Sequence, residues 1–311
     1  MRVASAPIFP AQAYSKTELL PPPEWVTAVT ALDVPVLNAV GSGLNLGSVR
    51  NDDFCRVAVR IDHAIDLNAA ALREQTRLAY LAIFSAFAES PGFSPVRFWN
   101  VLPGIHDRLD RSQNRYMIFN SGRYLAFEKQ YGSHDRFDQN VATASAVGHH
   151  GQYLWIHGLA SRAAGIHLGN PRQVSPHRYS SRFGKRPPCF ARATYLAEHG
   201  LLLIGGTASI CGEDSLHDHL AAQTKETFEN LGRLMESAAI RCGCPCPADP
   251  LGCMIDLRVY HPRKSDADWL DGALRDRVPN LQQLSIVRAD LCRAELLVEI
   301  EGIARMTPAC A

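Results

Sequence analysis

The segment Leu291–Ala304, LCRAELLVEIEGIA, places two glutamates in a run that otherwise has the character of a buried β-strand. Successive side chains of a strand point to opposite faces, so Val298 and Ile300 share one face and Glu299 and Glu301 share the other. The apolar face predicts a strand packed on a hydrophobic core. The acidic face has two interpretations: carboxylates that line a site, or exposed glutamates on an edge strand.

Cys292, shortly before this strand, also has two interpretations: a site residue or an inert thiol. Cys292 precedes Glu299 by seven residues, so in one straight strand the two side chains would point to opposite faces. A turn at Arg293–Glu295 would instead place Cys292 on a neighbouring strand beside the glutamates. Otherwise the cysteine is inert.

Length and composition favour two domains without a nucleic-acid or membrane partner. The 311 residues are 46% hydrophobic, and 32 Lys and Arg nearly balance 31 Asp and Glu, so no overall field attracts nucleic acid or an anionic membrane. The sequence contains neither an apolar run of ~18 residues nor a signal-peptide pattern at its start. Nine cysteines, an odd number, fit reduced thiols, and we expect a cytoplasmic protein.

The same order of elements is predicted twice. In the first set, FCRVAVRID alternates like a half-buried strand, and a run with helical periodicity follows it. A short strand at Val96–Leu102, a helix over Asp110–Gln130 and a pair of strands around His149–Gly151 complete this set. Ser161–Pro188, rich in Pro, Gly, Arg and Ser, is predicted to be an ordered linker that borders a site.

The second set begins with CFARATYL and GLLLIGGTASI, which Glu198–Gly200 should join as a hairpin. A helix from about Asp214 to Arg241, two further strands separated by a short helix, and the final strand follow. The pattern predicts an α+β fold of two tandem modules, each a sheet with helices packed on one face. We place the N-terminal module, whose first ~30 residues form an irregular leader, at 1–160, and the C-terminal module, with most of the site, at 161–311.

Three stretches contain residue types that are unusual within an ordinary strand or on a helix face. Arg192 lies mid-strand in CFARATYL, where a guanidinium needs a carboxylate ligand or an ion-pair partner. Gly205 and Gly206 interrupt an apolar strand, which is typical of a bulge or a close approach, and they predict the floor of a pocket. On the helix RYMIFNSGRYLAF, Arg115 and Arg123 lie two turns apart; they would suit a dianion, although a solvated face is the usual outcome.

No pattern indicates a metal site. Cys242, Cys244 and Cys246 follow a CxCxC spacing interrupted by proline, unlike the CxxC pairs of zinc sites, and the histidine pairs lack a third ligand in sequence. The glycine pair also lacks the Gly-Lys-Ser/Thr ending of a phosphate loop.

Taken together, the motifs resemble the chorismatases, enzymes that split chorismate into pyruvate and a cyclic acid. The resemblance rests on MIFNSGRYLAF, SPHRYSSRFGKRPPCFARATYL, GGTASICGEDS and VEIEGIA, spread from Arg115 to the C-terminus. VEIEGIA also resembles the end of the small trimeric RidA/YjgF imine deaminases, whose fold chorismatases share. The resemblance implies two tandem RidA/YjgF-like (chorismate mutase-like) modules, each with a mixed sheet, and a reaction without metal or organic cofactor.

The resemblance also implies roles for individual residues. Arg192 matches the family arginine that pairs with a substrate carboxylate, and Arg123 is the expected second anchor. Glu299 matches the catalytic glutamate, which protonates the methylene of the enolpyruvyl group; burial must keep that carboxyl protonated near neutrality. Tyr179 is the expected hydrogen-bond donor to substrate, and His177 stands where the family usually has a tyrosine.

Two further positions bear on the product. Cys292 and Gly206 resemble residues of the branches that form 3-hydroxybenzoate, in some members with 4-hydroxybenzoate, whereas the hydrolytic branch tends to carry alanine at the place of Gly206. A missing methyl should enlarge the pocket and shift the ring or a water by ~1 Å. We therefore expect 3-hydroxybenzoate and pyruvate.

Two alternatives stay open. One is the hydrolytic product, a trans-dihydroxycyclohexadiene carboxylate, with pyruvate. The other is a catalytically silent small-molecule-binding protein. The expected assembly is a monomer or a homotrimer, because internal duplication can replace trimer interfaces.

Overall fold

The computed structural model describes residues 20–89, 91–246 and 248–306, and these residues form two six-stranded sheets, a two-stranded ribbon and six α-helices. The first sheet holds β1 to β6, which are Asn38–Gly41, Leu44–Arg50, Phe54–Ile61, Ser94–Pro103, Thr143–His149 and Leu154–Ser161. The second sheet holds β7 to β9 and β12 to β14, which are Ile166–Leu168, Ala193–Leu196, Leu201–Ala208, Met254–His261, Gln283–Arg288 and Glu299–Arg305. The ribbon is formed by β10, Ile210–Cys211, and β11, Asp214–Ser215. The helices α1 to α6 are Glu24–Thr30, Ala69–Ala88, Arg115–Tyr131, Phe137–Asn140, Leu220–Cys242 and Ala267–Arg277.

The two sheets share one topology. Their strand orders are β1-β2-β3-β6-β4-β5 and β7-β8-β9-β14-β12-β13, and in each the last two strands of the order, β4 and β5 or β12 and β13, are parallel. β6 and β14 therefore occupy the same place, and LWIHGLA corresponds to VEIEGIA. Trp155 and His157, whose rings stack at 5.9 Å, stand where the second sheet has Glu299 and Glu301. The predicted tandem α+β fold with mixed sheets is confirmed.

Helices cover one face of each sheet. α2 and α3 pack on the first sheet around residues such as Phe98, and α5 and α6 pack on the second around residues such as Leu257. The opposite faces lie against each other, where Trp99 of the first sheet, Leu203 of the second and Trp25 of α1 share one apolar cluster. A site between these faces can draw on both modules.

Local signals fix the helix that borders this interface. α3 begins after Asn114, whose side chain accepts a hydrogen bond from the Met117 N–H, and it ends at Gly132, which has a φ of 88°. A methyl group at Gly122 would lie 2.7 Å from Cβ of Thr76 on α2. The glycine of NSGR thus lets the two helices approach closely and sets the position of the residue after it.

The Glu198–Gly200 hairpin between β8 and β9 is present, but several local predictions are wrong. β4 lies between β5 and β6, so the strands around His149–Gly151 are not paired, and the predicted linker contains the edge strand β7. The helix predicted from Asp214 begins at Leu220, because Asp214 pairs in the ribbon. Of the predicted leader, residues 24–30 form α1, and residues 1–19 lie outside the described chain.

The division into domains at residue 160 stays a prediction, although the chain passes from the first sheet to the second between Ser161 and Ile166. Among the described residues, no helix has the length and apolar character needed to cross a membrane.

Candidate active site

A pocket of about 290 Å³ opens between the two sheets beside β5, the edge strand of the first sheet. α3 and β5 of the first module line one side of it, and β9, β14 and the segment 179–192 line the other. Ala144, Ala208 and Phe190 form apolar parts of the wall, while arginines and two glutamates, Glu295 and Glu299, supply charge. Residues of both sheets therefore contribute to the site.

The carboxyl of Glu299 lies in this pocket and is only 4% exposed. Burial and the neighbouring Glu301 raise its pKa to about 8, against the lowering effect of Arg97 and Arg192. At pH 7 this carboxyl therefore holds a proton that it can donate. The two arginines oppose the shift but do not outweigh burial.

Glu301 has a different environment, although it shares the strand face of Glu299. Its Oε1 accepts hydrogen bonds from the Tyr260 hydroxyl at 2.8 Å and the Trp99 indole at 3.2 Å. Its Oε2 pairs with Arg97 Nη2 at 2.6 Å and accepts from the Ser145 hydroxyl. Both oxygens are engaged by residues of the two sheets, which agrees with a structural role.

A β-bulge brings the glycine pair against the acid. Where β9 meets β14, Ile300 pairs with Thr207 but Gly302 pairs with Ile204, so Gly205 and Gly206 together oppose one residue. A methyl group on Gly206 would overlap with Oε1 of Glu299 and lie 2.7 Å from its Cδ. The missing side chain thus makes room for the Glu299 carboxyl, whereas the sequence had suggested room for the ring.

Cys292 lies beside the acid, but not on an adjoining strand. It sits in the connection between β13 and β14, and β12 separates these two strands, so the predicted neighbouring strand is wrong. A turn at Arg293 brings its Sγ to 4.0 Å from Oε2 of Glu299. Burial, with a smaller contribution from Glu299, raises the pKa of the thiol to about 12, so it is neutral and not a thiolate nucleophile at pH 7.

Two buried arginines present unused donors. Arg192 donates from Nη2 to the Tyr179 hydroxyl at 2.6 Å, and Arg123 donates from Nη2 to Asn120 Oδ1 at 2.9 Å. Among the described residues, no acceptor has good hydrogen-bond geometry to Nε of Arg192 or to Nε and Nη1 of Arg123, although the Tyr80 hydroxyl also interacts with Arg123. Both guanidinium groups lie by the ring of Phe190, at 5.0 and 5.9 Å. Buried N–H groups without acceptors favour an anionic ligand between them.

Two other expected candidates point elsewhere. Arg115 donates to the backbone carbonyls of Ala64 and Ile65, so it does not form a pair with Arg123 in the pocket, and the dianion pair predicted on α3 is wrong. The His177 ring lies 3.1 Å from Asp138, whereas Tyr179 lines the pocket. The second arginine of the pocket is Arg192, which lies in a bend directly before β8 and not in mid-strand as predicted.

Sequence reasoning missed several pocket residues, among them Arg293, Ser145 and Tyr116. Arg293 lines the pocket, and its guanidinium lies 4.1 Å from the ring centre of Phe183. Its position directly after Cys292 could have identified it as a site residue. Ser145 is a polar residue within the apolar run VATASAV. Tyr116, on the first turn of α3, has a pKa raised by burial, so its hydroxyl is a neutral donor.

Comparisons with known proteins agree with this geometry. The family model described as chorismatase FkbO/Hyg5-like, N-terminal, matches residues 38–160. The 3-hydroxybenzoate synthase of Streptomyces hygroscopicus is 31% identical over 238 residues, which are 74% of this chain and 69% of that protein.

Solved structures are similar as well. The crystal structure of a chorismatase superposes with a TM-score of 0.74 at 27% identity, over 87% of this chain and 80% of that one. A YjgF/YER057c/UK114 family member from Mycobacterium tuberculosis matches 46% of this chain and 99% of its own, at 18% identity and a TM-score of 0.34. The 3-hydroxybenzoate synthase covers 74% of this chain and the chorismatase structure 87%, and the chain belongs to the chorismatase family.

Proposed function

We propose that this protein converts chorismate to 3-hydroxybenzoate and pyruvate. The observation that carries the proposal is a buried, protonated Glu299 in one pocket with two arginines that have unused donors. Chorismate offers two carboxylates to the arginines and an enol ether to the acid. The names of the relatives support the substrate, and the site residues support the chemistry.

Substrate binding falls to Arg123, Arg192 and Tyr179. Each arginine has one Nη2 donor held by the protein and further N–H groups free, so each can grip a carboxylate while its own position is fixed. The apolar surface of Phe190 and the alanines packs against the ring. Fixing both carboxylates orients the enolpyruvyl group for attack.

Glu299 then acts as general acid. It transfers its proton to the methylene carbon, which becomes a methyl group and leaves an oxocarbenium-like carbon next to the ether oxygen. The ring hydroxyl adds to this carbon and passes its proton to the ether oxygen, whose bond to the same carbon breaks, so that the ether oxygen stays on the ring as the 3-hydroxyl. The bond between the ring and the attacking oxygen then breaks, pyruvate leaves with that oxygen, and the ring returns a proton from its 3-position to the Glu299 carboxylate and becomes aromatic. This sequence balances without water, whereas the hydrolytic alternative consumes one water and gives the diene diol.

Gly206 and Cys292 support the aromatic product. The bulge at Gly206 sets the carboxyl of Glu299 close to the backbone, and the neutral thiol of Cys292 fills the space on its other side. We infer that this packing keeps a nucleophilic water away from the oxocarbenium carbon. We include 4-hydroxybenzoate in the proposal as a second product of the same site.

The test is incubation of the purified protein with chorismate, with chromatography of the aromatic products and an enzymatic assay of pyruvate. Hydroxybenzoate and pyruvate in equal amounts are expected. Pyruvate with a diene diol would retain the family and overturn the product. Absence of turnover, with chorismate binding intact, would identify a silent binding protein.

The rate should fall as pH rises through about 8. The acid form of Glu299 is required, and its folded pKa is about 8, so kcat should be flat below that pH and fall roughly tenfold per unit above it. Because the pKa of Glu299 is raised from its ordinary 4.5, its contribution to stability is also lost as pH rises through about 8. Thermal unfolding measured over the same pH range separates the two effects. A rate that increases through pH 8 would contradict the acid role.

Gly206→Ala should reduce kcat and change the product. The new methyl group would displace the Glu299 carboxyl by a few tenths of an ångström or more, and such shifts cost up to about a hundredfold in rate. We expect lower kcat and a larger share of diene diol. Gly232→Ala on α5, where a methyl meets nothing within 4 Å, is the control and should behave like the parent. Unchanged kcat and product in Gly206→Ala would contradict the close approach described here.

On assembly and location we propose a cytoplasmic enzyme that is a monomer or a homotrimer. The eight cysteines within the described residues are all free thiols, which suits a reducing compartment. Both modules of one chain already supply the pocket, so a monomer would be sufficient for activity.

A further inference from the structure

The hydroxyl of Ser145 connects three groups around the acid. It accepts hydrogen bonds from the Gly206 N–H at 2.9 Å and from Arg97 Nη2 at 2.6 Å, and it donates to Oε2 of Glu301. A hydroxyl has one proton and two lone pairs, so its full capacity is used and the proton is directed at Glu301. Ser145 comes from β5 of the first module, and Gly206 and Glu301 from the second.

The bond to Gly206 compensates for the bulge. At this point the register between β9 and β14 shifts, and the Gly206 N–H is paired with the Ser145 hydroxyl instead of a strand partner. A buried N–H without an acceptor is costly, so this bond holds Gly206 in place. Gly206 in turn lies directly against the Glu299 carboxyl.

We propose that Ser145 is a positioning residue for Glu299, acting through Gly206 and the Glu301 ion pair. This inference rests on the proposed function, because it concerns the geometry of the same acid. Loss of the hydroxyl frees the Gly206 backbone to move and removes one donor from Glu301. The wall against the Glu299 carboxyl shifts, and the acid no longer points at the methylene carbon.

The effect should fall on the chemical step and not on binding. Arg123 and Arg192 are held by Asn120 and Tyr179, which do not contact Ser145. These two arginines would therefore still bind the carboxylates of chorismate. A lower kcat with an unchanged KM indicates that the lost interaction stabilises the transition state and not the bound substrate.

Thr143 provides a matched control on the same strand. It lies two residues before Ser145, is fully buried, and its hydroxyl also joins the two modules, through a 2.7 Å bond to the Thr194 hydroxyl. It is not part of the pocket lining. Thr143→Val removes this hydroxyl without changing the side-chain shape.

The experiment compares the parent, Ser145→Ala and Thr143→Val in chorismate turnover, product ratio and thermal unfolding. Both variants should lose a similar amount of stability. Ser145→Ala alone should lose about tenfold to a hundredfold in kcat, keep its KM, and release more diene diol. If Ser145→Ala does not fold, Ser145→Cys, which fills the same space with a weaker hydrogen-bonding group, should show the same kcat loss in part.

The outcomes are distinguishable. An inactive parent protein would overturn the proposed function and this inference with it. An active parent, with equal kcat in the two variants or with a raised KM and unchanged kcat in Ser145→Ala, would overturn the positioning role alone.

Discussion

Glu299→Gln should abolish pyruvate release from chorismate while the protein stays folded. Glutamine has nearly the same shape but no acidic proton to transfer, and the loss of a general acid commonly costs ~10²–10⁴-fold in rate. The variant also lacks a carboxyl that must ionise in a buried site as pH rises through about 8. It should therefore be more stable than the parent at pH 9, while binding of chorismate, followed by calorimetry, persists.

Glu229→Gln is the control for this experiment. Glu229 lies on α5, is exposed, accepts a hydrogen bond from Arg233 and does not line the pocket, so the same chemical change there should leave turnover near the parental rate. Glu299→Gln with parental pyruvate release would exclude this residue as the proton donor. Destabilisation at pH 9 would contradict its buried protonated state.

Arg123→Lys should weaken productive binding by a large factor. Lysine keeps the charge but not the planar fork, so the Nε and Nη1 donors, which are buried without a well-placed acceptor, are lost. Hydrogen bonds between charged groups contribute roughly 1.5–3 kcal/mol, which corresponds to about tenfold to a hundredfold in kcat/KM. Steady-state kinetics with chorismate, together with thermal shifts on adding chorismate, measure the change.

The same helix supplies the matched control. Arg115 begins α3, is as buried as Arg123, and donates to backbone carbonyls at 2.8 and 2.9 Å away from the pocket. Arg115→Lys should lower the unfolding temperature comparably but leave kcat/KM near the parental value. Similar kcat/KM losses in both variants would show that Arg123 supports the helix and not the substrate.

Local features of the sequence predicted much of the fold and of the site. The alternation in VEIEGIA placed Val298 and Ile300 towards the helix-side core and the glutamates on the opposite face, as the structure shows. Glu198–Gly200 indicated a hairpin because a left-handed glycine ends it. These signals are readable because each depends on residues close together in the chain.

What could not be predicted depends on distant partners. The insertion of β4 between β5 and β6 is a matter of long-range pairing, so adjacent strand signals were wrongly read as one pair. Ser145 is hydrogen-bonded to Arg97, Gly206 and Glu301, which are 48, 61 and 156 residues away in the chain. The sequence around Ser145 gives no indication of these contacts. The role of Gly206 likewise depends on where the Glu299 side chain ends in space.

The stacked pair Trp155 and His157 has a consequence for stoichiometry. These rings occupy the strand positions that Glu299 and Glu301 hold in the other copy, and burial lowers the pKa of His157 to about 3, so it stays uncharged. The first sheet thus has packed rings at the strand positions where the second sheet has carboxylates. Each polypeptide should accordingly take up one equivalent of ligand, not two, however many chains assemble.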